Sequence, residues 1–138
     1  MIIFEYTESK SEEFDEKIDV EFSKYASERG VLCNYKSFSF VAKENEKIIG
    51  IITGHSYYNE VHIKDLVVFE EYRNKKIGSK LIKAVENHHK DRGLTHISLS
   101  TYHFQAPDFY SKCGFQIEFI REDKENPKLS KYFFVKYF

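Results

Sequence analysis

The chain has 138 residues and a mass of 16.4 kDa, which favours a single domain over residues 1–138. Its 22 acidic and 21 basic residues nearly balance, which argues against a nucleic-acid partner because a general nucleic-acid binder needs a basic excess. The chain lacks both the long apolar run of a membrane-spanning helix and the basic start of a signal peptide. We therefore expect a cytoplasmic protein with no membrane partner.

The first elements are predicted to be a short strand and a helix. Apolar and polar residues from Ile2 to Thr7 indicate the strand. Between Ser11 and Arg29, apolar residues recur at spacings of four, four and three, which is the period of an amphipathic helix. Ser11 is a suitable N-terminal cap for this helix, and Gly30 is a suitable end.

Alternating and apolar segments predict the remaining elements. Ser37–Lys43 and Ile48–Ser56 form a predicted hairpin around a polar turn. The later elements are a strand at Val61–Phe69, a helix at Ile77–Arg92, a strand at Thr95–Thr101, a short helix at Pro107–Cys113, and strands at Phe115–Arg121 and Lys131–Tyr137.

This order of elements predicts an α/β fold with a mixed sheet. A hairpin followed by a strand–helix–strand unit is not the strict alternation of a purely parallel sheet. We expect a mostly antiparallel sheet of six or seven strands with three or four helices. Ligands of such sheets gather at the carboxyl end of the strand that leads into the crossover helix.

The loop that enters the second helix has the composition of an anion site. Gly78 lies in the first helical turn, where it lowers helix propensity by about 1 kcal/mol relative to alanine. Such a glycine suggests that something approaches the backbone closely. The free N–H groups of that turn would favour a phosphate or pyrophosphate. The surrounding cations are Arg73, Lys75, Lys76 and Lys80. The other interpretation is a helix with a solvated basic start.

Two segments resemble a known family. Residues 73–78, Arg-Asn-Lys-Lys-Ile-Gly, resemble the [Q/R]-x-x-G-x-[G/A] acyl-CoA signature of the GNAT N-acyltransferase superfamily. Residues 105–115 resemble that family's A-x-x-F-Y-x-K-x-G-F element, at the expected distance downstream. Lys76 stands in place of the first motif glycine, and Gln105 stands where many members have asparagine.

The resemblance implies a GNAT-like fold and acetyl-CoA as cosubstrate. Coenzyme A would enter where the strands Val61–Val68 and Thr95–Thr101 splay apart. Its pantetheine arm would pair with the backbone of the first strand, and an N–H near Val67 would polarise the thioester carbonyl. The implied cofactor-binding residues are Leu66, Val67, Val68, Arg73, Asn74, Lys75, Lys76, Ile77, Gly78, Ser79, Lys80, Gln105, Ala106 and Phe109.

The resemblance further implies an N-acetyltransferase that moves an acetyl group to a primary amine by direct attack in a ternary complex. Tyr110 matches the family's tyrosine and is expected to protonate the leaving thiolate. Glu60 lies where some members place a catalytic glutamate. His62, two residues on, faces the same side of the strand, and the intrinsic pKa of a histidine is close to neutrality, at about 6.5. Either residue is a candidate general base, although both also fit a solvated strand end.

Several questions remain open at the level of sequence. The acceptor is expected to be a small-molecule or peptide amine, contacted by residues 25–35, residues 57–60 and His103. The sequence leaves the oligomeric state open, and a homodimer is one candidate. No metal site is expected, because the histidines lack ligand spacing. The alternatives are a catalytically silent acyl-CoA-binding module, which Lys76 favours, and a flavodoxin-like phosphate-binding domain, which the hairpin disfavours.

Overall fold

The structure is a computed structural model that describes residues 1–9 and 11–138. By its internal contacts the chain divides into two compact units, residues 1–34 and residues 35–138. In the described residues no helix is long and apolar enough to span a membrane. The same residues contain no group of three or more His, Cys, Asp or Glu side chains that could hold a metal ion.

The described part of the first unit contains one helix, α1 (Glu12–Ser27), close to its predicted limits. The Ser11 hydroxyl accepts a hydrogen bond from the Phe14 N–H, and acidic residues occupy the first turn, where they favour the helix dipole. The predicted strand at Ile2–Thr7 is wrong. This segment is unpaired and exposed, and an alternating sequence makes a strand only when a neighbouring strand takes up its hydrogen bonds.

The second unit holds all the strands, two α-helices and two short 3-10 helices. The strands are β1 (Lys36–Glu44), β2 (Lys47–Tyr57), β3 (Glu60–Val68), β4 (His96–Tyr102), β5 (Gln116–Arg121) and β6 (Lys131–Tyr137). The helices are α2 (Ile77–His89) and α3 (Pro107–Lys112), and the 3-10 helices span Glu70–Tyr72 and Pro127–Leu129.

The strands form one six-stranded sheet in the order β1-β2-β3-β4-β6-β5. Neighbouring strands are antiparallel except for the parallel pair β3–β4, which confirms the predicted mixed, mostly antiparallel sheet. One face carries the core, in which Ile52, Val61, Ile97 and Phe134 are fully or almost fully buried together with residues of α2 and α3.

Lys136 of β6 holds the end of α3 in place. Its ammonium donates to the Glu86 carboxylate of α2 at 2.6 Å and to the Cys113 carbonyl at 2.8 Å. The two bonds connect three elements through one partly buried cation, and charge-assisted bonds of this kind are stronger than neutral ones. The position of α3 is therefore fixed relative to the sheet and to α2.

The parallel pair β3–β4 separates after a short contact, as the family resemblance implied. Its residues are paired only at Glu60–His96, Val61–Ile97 and His62–Ser98. Immediately afterwards β3 contains a bulge: Thr53 of β2 pairs with Asp65, Gly54 pairs with Ile63, and Lys64 is the extra residue. A bulge bends its strand and increases the local twist. Since this bend follows the last β3–β4 pair, it accounts for the cleft that opens there.

Gly54 makes the bulge sterically feasible. A Cβ at this position would lie 2.2 Å from the His62 carbonyl oxygen and 2.8 Å from the Phe38 ring. The first neighbour is backbone and cannot rotate away. The sequence therefore needs a residue without a side chain opposite the bulge.

We expect Gly54→Ala to lower the free energy of unfolding by about 2–4 kcal/mol, because strand backbone must move to admit the methyl group. Gly93→Ala is the matched control. Gly93 has open space around it but a φ of +77°, so alanine there adds only backbone strain of about 1 kcal/mol. Urea unfolding of both variants gives the comparison. A loss for Gly54→Ala no larger than that for Gly93→Ala would contradict this account of the bulge.

Candidate active site

Strand β3 forms one wall of the cleft. The backbone N–H and C=O groups of every second residue of β3 point into the cleft. The Phe69 N–H donates to the Ile49 carbonyl of β2 at 3.0 Å. Hydrogen-bonding direction alternates along an antiparallel strand, so Val67 also faces β2, whereas Leu66 and Val68 face away from it into the cleft. The cleft-facing donors are therefore the N–H groups of Leu66 and Val68, one residue to either side of Val67.

Arg73 is bonded to the end of β3. Its Nε donates to the Val68 carbonyl at 2.9 Å. This carbonyl is one of the cleft-facing groups. The bond from Arg73 therefore occupies the C-terminal end of the exposed β3 edge. The sequence suggested Arg73 as a direct phosphate contact, and the structure shows a bond that orients the loop after β3.

The loop between Arg73 and α2 passes through left-handed backbone conformations. Asn74 has φ 63°, and Lys76, the residue before α2, has φ 62° and ψ 18°. A residue other than glycine pays about 1 kcal/mol for this conformation. Lys76 thus takes a backbone conformation that glycine favours, and its departure from the motif does not prevent the turn.

The N-terminus of α2 is open to an anion. Among residues 1–9 and 11–138 no side chain caps it, and its first turn contains no acidic residue. The Lys80 N–H bonds the Lys76 carbonyl, which leaves the earlier N–H groups of Ile77, Gly78 and Ser79 without helical acceptors. The helix α1 of the same chain, by contrast, has a serine cap and three acidic residues in its first turn. The basic side chains around the α2 terminus add further positive charge.

Gly78 lies against α3. A Cβ on Gly78 would be 3.1 Å from Cζ of the Phe109 ring. The absent side chain therefore makes room for Phe109, a packing role in addition to the close ligand approach that its position suggested. Gln105 is also engaged, since its side-chain oxygen accepts from the Tyr102 N–H at 2.9 Å and from the Thr101 hydroxyl at 3.2 Å. Ala106 is the residue that precedes α3.

Tyr110 projects from α3 into the core, and its ring contacts those of Phe115 and Phe134. Burial, with a smaller contribution from Cys113, raises the pKa of its hydroxyl to about 12. No described residue forms a hydrogen bond with that hydroxyl. Every fully buried side-chain oxygen of the described residues has a hydrogen-bond partner, so the Tyr110 hydroxyl is not fully buried and reaches solvent. Phe134 pairs with Leu99, one residue beyond the last β3–β4 pair. Tyr110 is therefore close to the apex of the cleft.

Glu60 and His62 lie on the opposite face of the sheet, together with their partners on β4. His96 Nε2 is 3.0 Å from the Glu60 carboxylate, and His62 Nδ1 is 3.0 Å from the Ser98 hydroxyl. The ring of His55, across β2, is 5.4 Å from that of His62. The two candidate bases thus differ: Glu60 is engaged in an ion pair or hydrogen bond with His96, whereas Nε2 of His62 has no bonded partner among the described residues.

The surroundings of His62 favour its neutral form. Burial lowers the pKa of the imidazole, the nearby His55 and Lys131 lower it further, and Glu60 opposes them. At neutral pH His62 is therefore an unprotonated base. The sequence did not reveal the pairs with His96 and Ser98, because they depend on the parallel register of β3 and β4. The only signal was the polar alternation at His96, Ser98 and Ser100.

A search of curated proteins finds no match to this chain. Among solved structures, an acetyltransferase from Bacillus cereus shares 29% identity with a TM-score of 0.75, and the match covers 97% of this chain and 98% of that one. A candidate streptothricin acetyltransferase from Bacillus anthracis, in complex with acetyl coenzyme A, shares 24% identity over 80% of this chain and 67% of its own, with a TM-score of 0.66.

The aminoglycoside 6′-N-acetyltransferase of Enterococcus faecium has the same fold at 18% identity, with a TM-score of 0.63 over 73% of this chain and 72% of its own. The model of the acetyltransferase (GNAT) family matches residues 2–115. That range includes the splayed strands, the loop that enters α2 and the tyrosine of α3. The chain belongs to the GNAT acetyltransferase family.

Proposed function

We propose that the protein is an N-acetyltransferase that transfers the acetyl group of acetyl-CoA to a primary amine by direct attack in a ternary complex. The observation that carries this proposal is the cleft between β3 and β4, which leads from a polar apex to the uncapped N-terminus of α2. The coenzyme A complex of a structural neighbour and the amine-directed activity of another support it.

In this proposal the pantetheine arm pairs with the free edge of β3, like an added strand. The N–H groups of Leu66 and Val68 and the carbonyl of Leu66 would be its partners, since Arg73 occupies the carbonyl of Val68. The pyrophosphate would lie on the first turn of α2, near Lys75 and Lys80. One cleft-facing N–H would polarise the thioester carbonyl and stabilise the oxyanion formed on attack.

We assign the general base to His62 rather than Glu60. The attacking nitrogen must lose a proton, and His62 offers a neutral imidazole with a free Nε2 at the apex of the cleft. Glu60 lies further from the opening and is bonded to His96. Its negative charge favours the protonated form of His62, which would assist the transfer.

Tyr110 would complete the reaction by protonating the leaving thiolate. Because the pKa of its hydroxyl is raised to about 12, it holds its proton at every physiological pH. Its proton would pass to the sulfur as the carbon–sulfur bond breaks, and water would then restore it. An acyl-cysteine route through Cys113 is disfavoured, because burial raises the pKa of that thiol and leaves it a poor nucleophile.

The alternative hypothesis of a catalytically silent acyl-CoA-binding module was based on the presence of Lys76 in place of the motif glycine. The left-handed conformation of Lys76 weakens that alternative, since the loop keeps the backbone path that the motif needs. The acceptor would approach the face of His62, where the Tyr35 ring stacks on His55 at 5.3 Å and contacts Tyr57 edge-on at 5.4 Å. These rings favour an organic cation by cation–π attraction. Release of free thiol with polyamines, aminoglycosides and amino acids tests the function and the acceptor together.

The cofactor site is tested with two variants of equal size at Gly78. Gly78→Asn and Gly78→Asp both press on Phe109, but only the second puts a negative charge beside the pyrophosphate. We expect the aspartate variant to bind acetyl-CoA at least about tenfold more weakly than the asparagine variant. The difference should shrink at high salt. Equal affinities in calorimetry would place the phosphates elsewhere.

Tyr110→Phe tests the acid. The variant keeps the ring and its contacts with Phe115 and Phe134 and loses only the hydroxyl. We expect kcat to fall by about a hundredfold, the low end for general acid catalysis because CoA thiolate is a fair leaving group. The dissociation constant for acetyl-CoA should barely change. An unchanged kcat would remove Tyr110 from the chemistry, and a parallel loss of binding would make it a cofactor contact.

The base is tested by comparing His62→Gln with Glu60→Gln across pH. Because the pKa of His62 lies below its usual value, kcat/KM should fall only as the pH drops below about 6.5. His62→Gln should lose this acidic limb and retain about a hundredth of the plateau, whereas Glu60→Gln should keep the limb. Ionisation of the acceptor is common to every variant and cancels in the comparison. A limb that survives in His62→Gln would exclude His62 as the base.

A further inference from the structure

We propose that Ser98 is a positioning residue that holds the His62 imidazole so that Nε2 receives the proton of the attacking amine. This inference rests on the proposed role of His62 as general base. Ser98 lies directly across from His62 at the last pair of the parallel β3–β4 contact, and its hydroxyl oxygen is 3.0 Å from His62 Nδ1.

The backbone around this contact is paired and lies over the buried core. Val61 and Ile97, which precede His62 and Ser98, are paired with each other and almost fully buried in the core. Beyond Ser98 the two strands separate, so His62 and Ser98 border the apex. The Ser98 hydroxyl is therefore held by paired and buried backbone. From that position it can orient the His62 imidazole next to the place where the thioester would lie.

The contact is compatible with the chemically useful tautomer, because the Ser98 hydroxyl oxygen can accept from Nδ1–H. A neutral imidazole has one N–H donor and one acceptor nitrogen. When Nδ1–H donates to the Ser98 oxygen, the lone pair of Nε2 is free to accept a proton. The N–H bond of the ammonium then breaks, the Nε2–H bond forms, the positive charge moves to the imidazole, and the Nδ1–H bond to Ser98 is kept. The uncharged hydroxyl does not trap this proton, as a carboxylate in its place would.

The charged neighbours of His62 come from three strands. His55 on β2 and Lys131 on β6 disfavour the imidazolium, and Glu60 on β3 itself favours it. Glu60 is in turn bonded to His96 of β4. Ser98 contributes no charge to this set, so its removal should alter the orientation of the His62 ring more than the electrostatic field around it.

The experiment compares three substitutions of Ser98 by the pH dependence of kcat/KM and by NMR titration of the His62 Cε1–H resonance, assigned with His62→Gln. Ser98→Ala should lower kcat/KM by about five- to tenfold with the KM for acetyl-CoA unchanged. Ser98→Thr, which keeps the hydroxyl, should restore the rate. Ser98→Asp should move both the acidic limb and the NMR midpoint upward by about one pH unit or more.

Ser39→Ala is the matched control, since Ser39 is an exposed residue of β1, paired with Thr53 and remote from the apex. It should leave rate and profile unchanged. A rate loss in Ser98→Ala that Ser98→Thr does not restore, or a Ser98→Asp variant with an unshifted His62 midpoint, would overturn the positioning role alone. If His62→Gln itself keeps the acidic limb, the base assignment is wrong and the role of Ser98 falls with it.

Discussion

One extra residue in β3 determines the architecture of the site. Lys64 has no partner on β2, and the resulting bulge bends β3 away from β4 just after His62 pairs with Ser98. Without the bend, β3 and β4 would continue to exchange backbone hydrogen bonds and no edge would remain for a ligand. The close contact of Gly54 with the His62 backbone is the steric condition for that bend. The cleft is thus a consequence of local backbone geometry in the middle of the sheet.

At the other end of the cleft, the chain accepts conformational costs that a bound anion would offset. Lys76 adopts a left-handed conformation at a cost of about 1 kcal/mol. No side chain of the described residues caps the N-terminus of α2, and a missing cap typically costs about another 1 kcal/mol. The same chain caps α1 conventionally with Ser11. The unsatisfied N–H groups, the basic side chains and the Arg73 bond to β3 therefore form one coherent arrangement around the first turn of α2.

Much of the fold could be predicted because it follows from local signals. The helical period between Ser11 and Arg29 and the hairpin alternation between Ser37 and Ser56 depend only on neighbours in sequence, and the structure confirms the corresponding elements. The strand prediction for Ile2–Thr7 was wrong because a strand forms only when a neighbouring strand takes up its hydrogen bonds. The site was predicted less completely, for the same reason. The loop residues are contiguous in sequence, whereas the bonds of Glu60 to His96 and of His62 to Ser98 join residues 36 positions apart.

The proposed acid and base lie on opposite faces of one sheet. Tyr110 projects from α3 on the core side, and His62 lies on the other side, with the apex of the cleft between them. In the proposed mechanism the sheet therefore acts as a partition with a single opening. The amine would approach from the face of His62, and the thiol would remain in the channel that runs towards α2. The acetylated product and coenzyme A would then have separate exits, so neither would have to leave before the other could move.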